Sequence, residues 1–217
     1  HLAAIEYTVK KVAGRIPVIA GTGSNDTAHA IYLSQSAEKL GVDGLLVVTP
    51  YYNKSTQKGL VRHFTEIANS VKLPIILYNV PSRTGMNIAI DTVAELAKID
   101  NIVGIKDATG DIGYTVALAA KVPEIAIYSG NDDMTIPIMS LGGKGVISVV
   151  ANILPKDTHD MCAYCLAGET DKALKLQLSM LDVMNSMFIE VNPVPVKTAL
   201  GLMGYKVGNL RAPLYEM

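Results

Sequence analysis

The sequence is short of everything that would tie it to a large charged partner or to a membrane. Its 19 Lys and Arg stand against 20 Asp and Glu, a net charge of −1, so it offers nucleic acid no basic field, and no run of like charge marks a tail or membrane patch. No apolar run reaches the ~20 residues of a membrane span, and the start lacks the basic-then-apolar pattern of a leader. These absences lead us to expect small ligands, no nucleic acid, no membrane and a cytoplasmic protein. Cysteine is scarce too: Cys162 and Cys165 are the only two. Their CxxC lies in a helical apolar pattern, without the second pair of a zinc site or the strand-adjacent helix start of a redox motif. The pair reads as structural thiols, and neither metal nor cofactor is expected. The GTGSND stretch at 21–26 has no third glycine and no Gly-Lys-Ser/Thr, so it reads as a tight turn rather than a nucleotide loop. An initiator Met and an N-cap are missing as well: residues 1–12 already follow an amphipathic helical pattern. The expectation is a fragment of a longer protein.

What remains is a chain of 217 residues, 49% hydrophobic, enough for one sizeable core. Short β-branched runs at 16–20, 44–48, 74–78, 102–106, 125–129 and 145–149 predict six strands. Helical patterns at 27–40, 57–71, 91–98, 114–122 and 134–141 separate them, with Asp26 or Thr27 capping the first. From Lys156 onward the pattern is helical, broken at 192–195. Strands alternating with helices at this spacing predict βαβ units and a parallel sheet. A doubly wound sheet and a TIM (β/α)8 barrel both fit. Both gather the residues just past the strand C-termini on one rim, here Thr22, Tyr52, Tyr78, Lys106, Ser129 and Ile147. Chemistry drawn from so many successive strands suits the barrel better, so the expected α/β architecture is a barrel, incomplete here. Residues 1–154 would form the partial barrel and 155–217 a helical region.

Within that rim, the run Ile102-Val103-Gly104-Ile105 delivers Lys106 to the mouth of a buried strand. Desolvation penalises an ammonium, drawing a lysine below its free pKa of about 10.4, and a neutral amine can attack a carbonyl to form a Schiff base. The plain alternative is a lysine that snorkels to solvent. Tyr78 ends the preceding strand, Tyr51 and Tyr52 end the one before it, and Arg83 follows in a loop at 79–85. Together they suggest a lysine that condenses with a keto acid, a phenol that moves protons and a guanidinium that grips a carboxylate.

The segments GTGSNDT, VTPYYN, LYNVPSRTG, GIKDATG, YSGNDD, GGKGVISV and NPVPVK together resemble the dihydrodipicolinate synthase family over nearly the whole chain. GIKDATG alone would mark only the wider group of pyruvate-dependent lyases and aldolases, including N-acetylneuraminate lyase and keto-deoxy sugar acid aldolases. VTPYYN and Arg83 favour the synthase. The resemblance implies a Schiff base between Lys106 and pyruvate, with Tyr78 as proton donor and acceptor. It implies that Tyr52 reaches into a neighbouring subunit's site in a homo-oligomer, a dimer or homotetramer. It places Arg83 on the carboxylate of aspartate semialdehyde and the Ile147 backbone on pyruvate, in lysine and diaminopimelate biosynthesis. His1, Asn25 and Tyr51 match the family's lysine site, but His29 stands where feedback-sensitive members have glutamate, which leaves a lysine feedback inhibitor open. The family's Gly-Thr-Thr-Gly-Glu segment is absent, so two leading β/α units and a short C-terminal piece are expected to be missing and this polypeptide to be inactive alone. A non-catalytic barrel scaffold, with Lys106 inert, is the alternative of another class.

Overall fold

A computed structural model describes residues 1–217. Helix α1 (Leu2–Val12) leads into six strands, β1 (Ile19–Gly21), β2 (Gly44–Val48), β3 (Ile75–Asn79), β4 (Ile102–Asp107), β5 (Ala126–Ser129) and β6 (Gly145–Val146). Helices α2 (Thr27–Lys39), α3 (Gln57–Asn69), α4 (Pro81–Thr84), α5 (Ile90–Leu96), α6 (Ile112–Lys121) and α7 (Thr135–Ser140) intervene, and α8 (Pro155–Leu166), α9 (Thr170–Ser186) and α10 (Val194–Leu202) follow. The sheet order is the chain order, β1-β2-β3-β4-β5-β6. A doubly wound sheet reverses direction at a switch point; this one does not, which is the sequence of neighbours that a β/α barrel requires. The parallel α/β fold expected of the barrel class is therefore present.

Two compact units divide the chain, His1–Ile127 and Tyr128–Met217. In the first, Leu45, Ile75, Leu77 and Ile105 of the sheet are fully buried together with Leu60, Phe64 and Ile67 of α3, Leu96 of α5 and Leu118 of α6. Strand β3 is buried at four of its five positions, as a parallel strand covered on both faces must be. Asp26 is the cap of α2, its side chain accepting from Ala28 N–H at 2.8 Å. Gly23 answers to a close approach: a Cβ there would lie 2.5 Å from Val48 N. In the second unit, Val150, Ile153, Met161, Met180, Met184, Met187 and Val196 form a methionine-rich core. Cys162 and Cys165 are free and half-buried on α8, and burial pushes the Cys162 thiol up. No helix is long and apolar enough to cross a membrane.

Several boundaries move from their sequence-based places, each for a visible reason. The strand expected at 16–20 starts at Ile19, because Pro17 has no N–H and Val18 N–H goes to the Asp43 carboxylate at 2.7 Å. The strand expected at 145–149 ends after Val146, since the N–H groups of Val149 and Val150 turn to Asp132 Oδ2, each at 3.1 Å. The loop expected around Arg83 closes into the single helical turn α4, started by Pro81 and ended by Gly85 at φ 68°.

A buried histidine also lies in this scaffold. His63 of α3 is 5% exposed; Nδ1 is 2.8 Å from Thr27 Oγ1 and Nε2 has no partner. Burial holds its pKa below 6.5 against the opposing charges of Glu66 and Asp26. The folded state therefore favours neutral imidazole. As pH falls below about 6.5 the unfolded chain takes up a proton that the folded one resists, so stability declines until the lower folded pKa is passed and then levels. Thermal melts of the wild type and His63→Leu from pH 7.5 to 5 should show this acid loss in the wild type and a shallower one in the variant. Parallel curves would assign the loss to other groups.

Candidate active site

Adjacent parallel strands in register carry the central pair. Val48 is paired with Tyr78 and Tyr78 with Lys106, so the last residue of β2 and the penultimate residues of β3 and β4 stand side by side. The Lys106 Nζ lies 4.3 Å from the centroid of the Tyr78 ring, at the distance of a cation–π contact. Lys106 and Tyr78 are both half-buried. Burial pushes the Tyr78 phenol above its ordinary value of 10, while the Arg83 guanidinium pulls the other way. At neutral pH the phenol is thus held in the form that can donate a proton, next to an amine that can attack a carbonyl.

A cavity of about 440 Å³ opens beside Tyr78; the Lys106 side chain stands over that ring and is not among the lining residues. Tyr51, Tyr78, Arg83 and Thr84 line it with Gly21, Gly23, Leu46, Val48 and Val80. Arg83 is placed by the turn α4, which two devices lock. The buried Thr84 hydroxyl bonds locally, with Met86 O at 3.0 Å, and Met86 N–H donates back to Thr84 Oγ1 at 3.2 Å. Gly85 then takes the left-handed conformation, and a Cβ there would meet Lys54 Cε at 2.7 Å.

Tyr52 behaves differently. It is 92% exposed, does not line the cavity and holds φ at +69°, an unusual strain for a bulky residue. Its side chain is thus left almost wholly to solvent. His1 sets Nε2 2.8 Å from Gly21 O, and Asn25 O accepts from the Asn53 side chain at 2.9 Å. The first contact joins the chain start to the end of β1, and the second ties the loops after β1 and β2, with Tyr51 42% exposed nearby in sequence. Ile147 belongs to the second unit, where its N–H donates to Ser129 O at 2.9 Å. Two expected rim residues are committed elsewhere. Thr22 is fully buried and accepts from Ser34 on α2 at 2.9 Å, and Ser129 closes a turn onto Asn131 O at 2.6 Å. Thr84 and the buried polar groups behind β3 and β4, including Asn79 and Asp107, escaped the sequence reading. The Asp-x-Thr spacing of Asp107 and Thr109, which forms an Asx-type turn, was the signal that could have found the last of these.

A model of the dihydrodipicolinate synthetase family matches residues 1–217. The 4-hydroxy-tetrahydrodipicolinate synthase of Caldicellulosiruptor bescii is 58% identical over 100% of this chain and 74% of its own length. A crystal structure of a dihydrodipicolinate synthase superposes with a TM-score of 0.98 at 50% identity, covering 100% of this chain and 75% of that one. The chloride-inhibited synthase of Acinetobacter baumannii, complexed with pyruvate, gives 0.97 at 47% identity over 100% and 75%. With a family match over every residue and the expected lysine and tyrosine side by side at adjacent strand ends, the chain belongs to the dihydrodipicolinate synthetase family.

Proposed function

We propose that this chain carries the chemistry of 4-hydroxy-tetrahydrodipicolinate synthase, condensing pyruvate with aspartate semialdehyde in lysine and diaminopimelate biosynthesis. The observation that carries the reading is the Lys106 amine above the Tyr78 ring, which lines a cavity together with Arg83. The Lys106 amine adds to the keto carbon of pyruvate and water leaves, giving an iminium. Loss of a methyl proton yields an enamine, whose carbon attacks the aldehyde. Tyr78 donates and accepts the protons of these steps. The substrate's amine then closes the ring and releases Lys106. The relative complexed with pyruvate supports the first substrate.

Arg83 holds the carboxylate of aspartate semialdehyde, and the Ile147 backbone contacts pyruvate. Tyr52 serves the proton relay of a neighbouring subunit in a dimer or tetramer, a role that its exposure and strained backbone favour. His1, Asn25 and Tyr51 form a candidate lysine-binding site, and His29 leaves its feedback open. The protein works in the cytoplasm. The six β/α strands within residues 1–154 belong to an eight-stranded barrel that two further units complete, with residues 155–217 as the helical region. Ile19 on β1 is 49% exposed, Ile16 is 65% exposed, and α1 has no fully buried residue, which leaves apolar surface for such units to cover.

Substrate choice tests the reading. The full-length gene product should turn over pyruvate with aspartate semialdehyde at least ~10²-fold more efficiently than with the aldehyde substrates of N-acetylneuraminate lyase or the sugar acid aldolases, because a built carboxylate grip discriminates strongly. Equal or reversed preference would favour those aldolases, and no turnover with any of them would favour a scaffold. In the same assay Arg83→Ala should raise the KM for aspartate semialdehyde roughly 10- to 100-fold, the worth of a charge-assisted pair. The KM for pyruvate should hold within about 3-fold. Arg83→Lys should not rescue it, since an ammonium lacks the two-pronged geometry. Loss of pyruvate binding instead would reassign Arg83.

A further inference from the structure

Side chains alternate along a strand, so the residues after Tyr78 and Lys106 face the opposite side of the sheet, and there the register pairs Asn79 with Asp107. Asp107 is 1% exposed. A carboxylate buried to that degree is costly unless its oxygens are satisfied, and these are. Oδ1 accepts from Thr109 N–H at 3.0 Å and Thr109 Oγ1 at 2.7 Å. Oδ2 accepts from Thr115 Oγ1 at 2.6 Å. Thr115 is fully buried on α6, so that last bond fastens the helix to the strand end. A second fastening runs through Thr109 Oγ1, which accepts from Asp111 N–H at 3.2 Å, while Asp111 caps α6 through Gly113 N–H at 2.8 Å. On β3, Asn79 O accepts from Ala108 N–H at 2.9 Å, and the Asn79 side chain is held by Ile88 N–H at 3.1 Å and Asn87 Oδ1 at 2.7 Å.

We propose that Asp107 and Thr115 are positioning residues for Lys106: the buried carboxylate–hydroxyl clamp fixes the strand end from behind and so aims the amine. The proposal rests on Lys106 being the Schiff-base lysine. A lysine side chain is long and flexible, and a held backbone is one means of pre-ordering it. The Tyr78 ring packs the amine end, and the clamp holds the backbone one residue along. Neither Asp107 nor Thr115 touches the face that bears the amine, so they act on the approach of Lys106 to the keto carbon and not on the affinity for pyruvate.

The test follows borohydride-trapped pyruvyl adduct on Lys106 in the full-length gene product, as a function of pyruvate concentration and normalised to folded protein. Thr115→Val keeps the shape and removes the hydroxyl. Its limiting rate of adduct formation should fall about 10- to 100-fold, the order expected for a small misplacement of a reacting group. Half-saturating pyruvate should stay within about 3-fold. Thr115→Ser, which restores the donor, should return the limiting rate to within about 3-fold of wild type. Thr109→Val, which removes one of two donors from the other carboxylate oxygen, should show the same split more weakly, and it serves if Thr115→Val fails to fold. Variants that are less stable yet trap pyruvate at the wild-type limiting rate would overturn the clamp while leaving the Schiff base standing. Absence of any adduct at Lys106 in the wild type would overturn both.

Discussion

Lys106→Ala should leave no borohydride-trapped pyruvyl adduct and should lower synthase turnover by as much as ~10⁶-fold, the scale reached when a covalent nucleophile is removed. The magnitude follows from the chemistry: without an amine there is no iminium, and the methyl protons of pyruvate lose the electron sink that makes them removable. No other lysine in the first unit stands in this setting. Lys54, Lys58 and Lys72, for example, are exposed, whereas Lys106 is half-buried at a strand end against the Tyr78 ring. Peptide mapping of the trapped adduct should find it on Lys106 alone. Labelling at Lys144 or Lys197, or residual turnover within about 10-fold of wild type, would remove Lys106 from the mechanism.

Tyr78→Phe separates the covalent step from the proton transfers. Phenylalanine keeps the ring under the Lys106 amine and discards only the hydroxyl, so the trapped adduct should persist. Turnover should drop ~10²- to 10⁴-fold, the range of a lost general acid-base. Burial raises the Tyr78 pKa and Arg83 lowers it. Arg83→Ala should therefore move any alkaline limb that Tyr78 controls to higher pH, and Tyr78→Phe should abolish that limb. A Tyr78→Phe enzyme with near-normal turnover and an unchanged pH profile would show that another group carries the proton.

Much of this was legible from local pattern. The β-branched runs located all six strands within a few residues, because parallel strands buried on both faces need almost continuous apolar sequence and little else competes to explain it. Where boundaries slipped, a side chain from elsewhere had taken a ladder hydrogen bond, as Asp43 does from Val18 and Asp132 from Val149 and Val150. Such captures join residues 17 or more positions apart and leave no periodicity in the chain. Thr22 shows the limit for site residues. A hydroxyl at a strand mouth looks available in one dimension, yet its partner Ser34 lies 12 residues on and faces the same helix–sheet seam.

The sequence by itself determined the alternation of strands and helices, the arrival of Lys106 and Tyr78 at successive strand ends, and the family. Those depend on residue types at short spacing, which the chain carries covalently. Tertiary structure alone decided that parallel register sets Tyr78 opposite Lys106, that Tyr52 leaves the cavity while Tyr51 lines it, and that Arg83 rides on a helical turn locked by Thr84 and Gly85. It alone brought Thr115 onto the Asp107 carboxylate, eight residues away. Register, exposure and the pairing of buried polar groups are set by which surfaces pack together, and packing is a property of segments meeting in space rather than of any one stretch of sequence.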